Sequence, residues 1–132
     1  MTKEEIVGNS HLKEAKRVLN FAQREINKAK KTKNEIKARQ AAEKGYLALL
    51  EIVNALLVEK GVKEEELPKG ERGRMFFLRK HADRDFRNKY DAIYKSLHID
   101  AFHEGIIDFK NIEEKFEDLE ELLNRIEQKR VW

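Results

Sequence analysis

The sequence predicts an all-α fold: an antiparallel up-and-down bundle of four to five helices, built as one domain over residues 1–132. Three observations carry the prediction. Apolar residues recur at steps of three and four through most of the chain, the repeat of a helix with one face in a core. No stretch can be defended as a strand. Connections between the periodic runs are short except around the single proline, Pro68, and short connections make consecutive helices antiparallel neighbours.

The first helix is marked by Leu12, Ala15, Leu19, Ala22, Ile26 and Ala29, at steps of 3, 4, 3, 4 and 3. Its start has two candidates: the Thr2–Glu5 capping box, and Ser10 after Gly8, which would leave the earlier residues a frayed turn. Thr32 with Glu35 reads as a second capping box opening the next helix. That helix carries Ala38, Ala42, Gly45, Leu49, Ile52 and Leu56 on one stripe and Ala41, Tyr46, Leu50, Val53 and Leu57 beside it. So wide an apolar arc belongs to a central helix, and its small residues admit close neighbours. Gly61 is placed to end it, with Val62 as the apolar contact of a Schellman motif.

A polar linker is expected from Lys63 to Gly73, and a short third helix after it with Met75, Phe76, Phe77 and Leu78 mostly in the core. A fourth helix carries Phe86, Tyr90, Ile93 and Leu97 at steps of 4, 3 and 4. The pattern blurs from Leu97 to Asp108, where Gly105 permits a bend. The last helix opens near Asp108 or Asn111 and buries Ile112, Phe116, Leu119, Leu123 and Ile126. Glu113 and Glu114 are expected in its first turn and Lys129 and Arg130 in its last, matching the helix dipole.

Composition excludes several functions. Cysteine is absent, which removes disulfides, thiolate metal sites and cysteine nucleophiles. No apolar run approaches the roughly 18 residues of a membrane span, and the first residues resemble no signal or transit peptide, so a cytoplasmic protein is expected. Charged residues make up 40% of the chain, and abundant Lys and Glu fit a thermophile source. Charge is also uneven. Residues 12–33 hold eight basic side chains against Glu14 and Glu25, and residues 69–89 hold eight against Glu71, Asp83 and Asp85. Residues 104–130 hold nine acidic side chains against five basic ones. Such polarity suits steering of an anionic partner such as RNA, and equally a set of solvated faces or a head-to-tail match between protomers.

Chemistry-bearing motifs are sparse. Of the four histidines, only His98 and His103 are close, and a spacing of five turns them to different faces of a continuous α-helix, so no metal site is expected. No cofactor motif is present: Gly70-Glu71-Arg72-Gly73 lacks the strand before it and the Lys-Ser/Thr ending of a phosphate loop. One segment is denser. Arg84, Arg87, Asn88, Asp91, Tyr94 and His98 form the candidate binding set, with Arg87, Tyr94 and His98 the catalytic candidates. On a continuous helix Arg87, Asp91, Tyr94 and His98 share a polar face. Arginine grips phosphate, histidine moves protons near neutrality, and tyrosine stacks on bases. Arg87 and His98 lie about 16 Å apart along such a helix, so only a dimer joins them at one phosphate. The plainer reading is a solvated surface with Asp91 paired to Arg87.

The antiparallel first pair, the Ala-rich second helix ending at Gly61 and the loop after it resemble the HEPN superfamily of small helical bundles, over approximately residues 10–130. The segment Leu97-His98-Ile99-Asp100-Ala101-Phe102-His103-Glu104-Gly105 also resembles a bacterial HEPN-like group. The resemblance implies a homodimer that engages RNA or a protein partner, such as a small nucleotidyltransferase, in a toxin–antitoxin or RNA-processing setting. Many members are metal-independent ribonucleases with an arginine, a polar residue after it, and a histidine four to six residues beyond the arginine. Arg87-Asn88 fits the opening and Tyr94 stands where an aromatic follows, but Ala92 or Ile93 occupies the histidine position. Arg74 and His81 have six residues between them, with Met75 in place of the polar one. The resemblance therefore implies a non-catalytic binder, or a ribonuclease using Arg87, Tyr94 and a displaced His98 across a dimer; with no motif complete, a purely structural or interaction bundle is the third reading.

Overall fold

The structure, a computed structural model, describes residues 3–128, with only the backbone of Glu4 and Glu5. Five α-helices form the bundle: α1 (Lys3–Thr32), α2 (Glu35–Glu59), α3 (Glu71–His81), α4 (Arg84–Ile93) and α5 (Phe109–Glu127). A 3₁₀ turn spans Glu64–Glu66, and α4 runs on as a π-helix over Tyr94–His103. No strand occurs among the described residues, and no helix among them is long and apolar enough to cross a membrane.

The periodic stripes become the core. Ala15, Leu19, Ala22, Ile26 and Ala29 of α1 are buried against α2, whose own two stripes are covered on several sides. Phe86, Tyr90, Ile93 and Leu97 are each fully buried, as are Ile112, Phe116 and Leu119 of α5. The closest approach is at Gly45. A Cβ there would lie 2.5 Å from Phe116 Cε1 and 3.0 Å from Leu97 Cδ1, so only glycine lets α5 and the π-helix pack onto α2.

Helix ends follow the expected chemistry in part. Gly61 closes α2 with φ +95°: its N–H donates to Val58 O at 3.0 Å and that of the buried Val62 to Leu57 O at 2.9 Å, a Schellman motif. α1 ends in the same way at Lys33, φ +53°, with Asn34 N–H donating to Ala29 O at 2.9 Å. The expected Thr32–Glu35 box does not form. Thr32 remains in α1 and its hydroxyl donates to Lys28 O, while Asn34 caps α2 by accepting from Lys37 N–H at 3.0 Å. Schellman closure needs one more residue than the capping box allowed, which passes the cap to Asn34.

Other boundaries shift too. Ser10 and Gly8 lie inside α1 and cap nothing; Thr2 lies outside the described residues. The linker is shorter than expected, since Gly70 is the N-cap of α3 and Gly73 lies within it. Asp108 caps α5 by accepting from Asn111 N–H at 3.1 Å, which places Glu113 and Glu114 beyond the first turn; Lys129 and Arg130 lie outside the described residues. In α3 only Leu78 and Arg74 are buried, and Phe76 is 53% exposed, so that helix is peripheral rather than mostly core.

Part of the segregated charge is paired within the molecule. Basic α1 lies along acidic α5, with Lys16–Glu127 at 2.5 Å, Lys30–Glu113 at 3.0 Å and Gln23 donating to Glu120. Arg125 of α5 also holds Asp83 at 2.7 Å and Asp85 at 3.0 Å at the start of α4.

Candidate functional site

The π-helix decides which polar side chains meet. In it the backbone bond spans five residues, as in Glu104 N–H to Ile99 O at 2.9 Å, so side chains five apart come over one another. His98 and His103, expected on different faces, are thereby brought together with their Nε2 atoms 3.1 Å apart. His98 Nδ1 lies 2.7 Å from Glu43 Oε1 on α2. A carboxylate can only accept, so Nδ1–H donates to Glu43 and Nε2 is the ring nitrogen that faces His103. Aromatic rings fix the imidazole: Tyr46 stacks on it at 4.2 Å between centroids, with Phe102 at 6.0 Å and Tyr94 at 5.7 Å. The π-helix then stops at Gly105, φ +70°, and Arg39 donates to the carbonyls of Phe102 (2.6 Å) and His103 (3.2 Å) at its end.

Of the sequence-predicted residues, Tyr94 and His98 belong to this cluster and the others do not. Arg87 donates from Nη1 to Ala82 O at 3.2 Å and Arg79 O at 3.5 Å, closing the carbonyl end of α3. Arg84, Asn88 and Asp91 are exposed on α4, and among the described residues Asp91 forms no ion pair with Arg87. The polar face drawn for a continuous α-helix therefore divides where the π-helix begins.

Beneath the cluster lies a buried polar network. Arg74 of α3 is 9% exposed and donates to the hydroxyls of Tyr90 and Tyr46, each at 3.3 Å, while Tyr90 donates to Glu71 at 2.7 Å. Burial opposes the Arg74 charge, but its tyrosine and Glu71 neighbours outweigh that and raise its pKa. Burial raises both tyrosines, Tyr90 further through Glu71, so the phenols stay neutral. Tyr46 thus links the network to His98. His81 has a different setting, stacked on Phe77 at 6.2 Å, with its pKa lowered by burial and by Lys80 and Lys60.

A second feature is the outer surface of α3 and the first turn of α4. Lys69, Arg72, Arg79, Lys80 and Arg84 are exposed there, and none is in an ion pair among the described residues. Exposed Phe76 stands among them, with Lys80 Nζ 5.4 Å from its ring centre.

Sequence reasoning placed Tyr46 only among core positions, met Arg74 only as the arginine of the Arg74–His81 spacing, and did not single out Glu43 or Arg39. The signal for Arg74 was a charge immediately before the apolar run Met75-Phe76-Phe77-Leu78. Glu43 carried none, because its partner lies 55 residues away.

The sequence model of the archaeal PaREP1/PaREP8 family matches residues 17–123, from the middle of α1 to near the end of α5. No curated protein and no solved structure matches the chain. The matched span takes in both the histidine cluster and the basic surface, and the chain belongs to the archaeal PaREP1/PaREP8 family.

Proposed function

We propose that this protein is a HEPN-like bundle that binds RNA through the outer surface of α3 and the start of α4, without cleaving it. One observation carries the reading: cations of this surface lack acidic partners among the described residues, and one of them, Lys80, lies over the exposed ring of Phe76. Unpaired cations can release counterions from phosphates, and an exposed ring can stack on an unpaired base. On α1, by contrast, Lys16, Arg17, Lys28 and Lys30 are engaged by acidic side chains of α5 and of their own helix. Homodimerisation belongs to the same proposal. Exposed Ile36 and Ile106, 71% and 60% accessible, supply apolar surface for it.

Binding of labelled single-stranded RNA by fluorescence anisotropy tests the reading. The triple variant Arg79→Ala/Lys80→Ala/Arg84→Ala is expected to weaken binding by at least about tenfold, and Lys31→Ala/Lys33→Ala by much less. Equal loss in both would remove the α3 assignment. RNA is expected to stay intact in EDTA; cleavage abolished by His98→Ala would make the protein a metal-independent ribonuclease instead. Capture of a nucleotidyltransferase with no RNA affinity would favour the protein-partner reading.

A further inference from the structure

The histidine cluster is not needed for phosphate contacts on α3, and its geometry has its own chemistry. We propose that His98 and His103 chelate a first-row divalent transition-metal ion through their Nε2 atoms, with Glu43 as the outer carboxylate. Three observations converge. The two Nε2 atoms are 3.1 Å apart on rings inclined at 79°. With metal–nitrogen bonds of about 2.05 Å, that separation subtends roughly 100° at a shared ion, between square-planar and tetrahedral angles. His98 Nδ1 is held at 2.7 Å by Glu43 Oε1, which fixes the tautomer whose Nε2 is free to ligate. A carboxylate behind a ligating imidazole is the usual means of orienting it and raising its basicity.

The setting is ordered on one side and open on the other. Tyr46 and Phe102 fix the His98 ring, and Arg39 secures the carbonyls of Phe102 and His103. His103 itself is exposed, so water can complete the coordination. Two imidazoles select borderline ions, in the order Cu²⁺ over Ni²⁺ and Zn²⁺, and pass over Mg²⁺ and Ca²⁺, which demand oxygen ligands.

The test is calorimetric titration of the full chain with Zn²⁺ and with Mg²⁺ at neutral pH. One saturable Zn²⁺ site per chain is expected, and no Mg²⁺ binding. Glu43→Gln should weaken Zn²⁺ binding by about tenfold, the lower end of what losing an outer carboxylate costs. His98→Gln or His103→Gln should weaken it further, and His81→Gln should leave it unchanged. A reading on the unaltered protein removes dependence on whether variants fold: substoichiometric Cu²⁺ should broaden the imidazole NMR signals of His98 and His103 before those of His11 and His81. Equal broadening of all four, or Zn²⁺ binding untouched by His103→Gln, overturns the proposal. RNA binding at α3 does not enter either reading.

Discussion

His11 joins three elements through one imidazole, with Nδ1 2.6 Å from Glu51 on α2 and Nε2 2.9 Å from Glu64 in the 3₁₀ turn. Both contacts need the protonated ring. The Glu51 hydrogen bond is the largest influence, and although burial opposes it, the pKa is raised from 6.5 to about 9. The folded value exceeds the unfolded one, so the stabilisation is complete below the unfolded pKa and disappears as pH rises through about 9. Glu64 is half exposed, so solvent screening limits the effect to on the order of 1–2 kcal/mol. Thermal unfolding of the wild type should lose stability from pH 7 to 10 relative to His11→Gln, whose curve lacks this component. Parallel curves would show that the bridge contributes nothing. His11 was present in the sequence as one histidine of four; neither acidic partner could be assigned, since they are 40 and 53 residues away.

Helices were the most legible part because their buried faces repeat. The stripe from Ala15 to Ala29 and the run Phe86, Tyr90, Ile93 and Leu97 are buried as the spacing requires, and Gly61 closes α2 with Val62 beneath it. The change from α4 to the π-helix was not legible. Leu97 and Ala101 are buried four residues apart, a step that both helix types accommodate, so apolar spacing does not distinguish them. The site reading depended on that distinction: the π-helix brings His103 to His98, while Arg87 remains at the end of α3. The small-residue face of α2 was read correctly, and Gly45 is its critical point. Gly45→Ala should destabilise the fold by about 1–3 kcal/mol in denaturant titration, because an added methyl meets the Phe116 ring and Leu97 in a packed core. A stability gain, the usual result of replacing a helical glycine by alanine, would mean that the three elements separate readily.

Across the molecule, part of the charge is paired between helices and part stays exposed to solvent. The acidic α5 pairs with α1 and α4 within the chain. The surface of α3 combines exposed cations with an exposed ring, on a helix whose apolar residues were expected inside and whose Phe76 lies outside. The homodimer expected from the HEPN resemblance is checked by light scattering at micromolar concentration. Two chains per particle are predicted, and Ile36→Glu/Ile106→Glu should shift the protein toward monomer; a wild-type monomer would remove that part of the account. RNA binding itself is tested most directly by its salt dependence. Wild-type affinity for single-stranded RNA should fall linearly on logarithmic axes with a slope of about −0.7 per phosphate contacted, and Arg79→Ala/Lys80→Ala/Arg84→Ala should flatten that slope by about 2. A slope near zero, or one that the triple variant leaves unchanged, would contradict recognition of RNA by this surface.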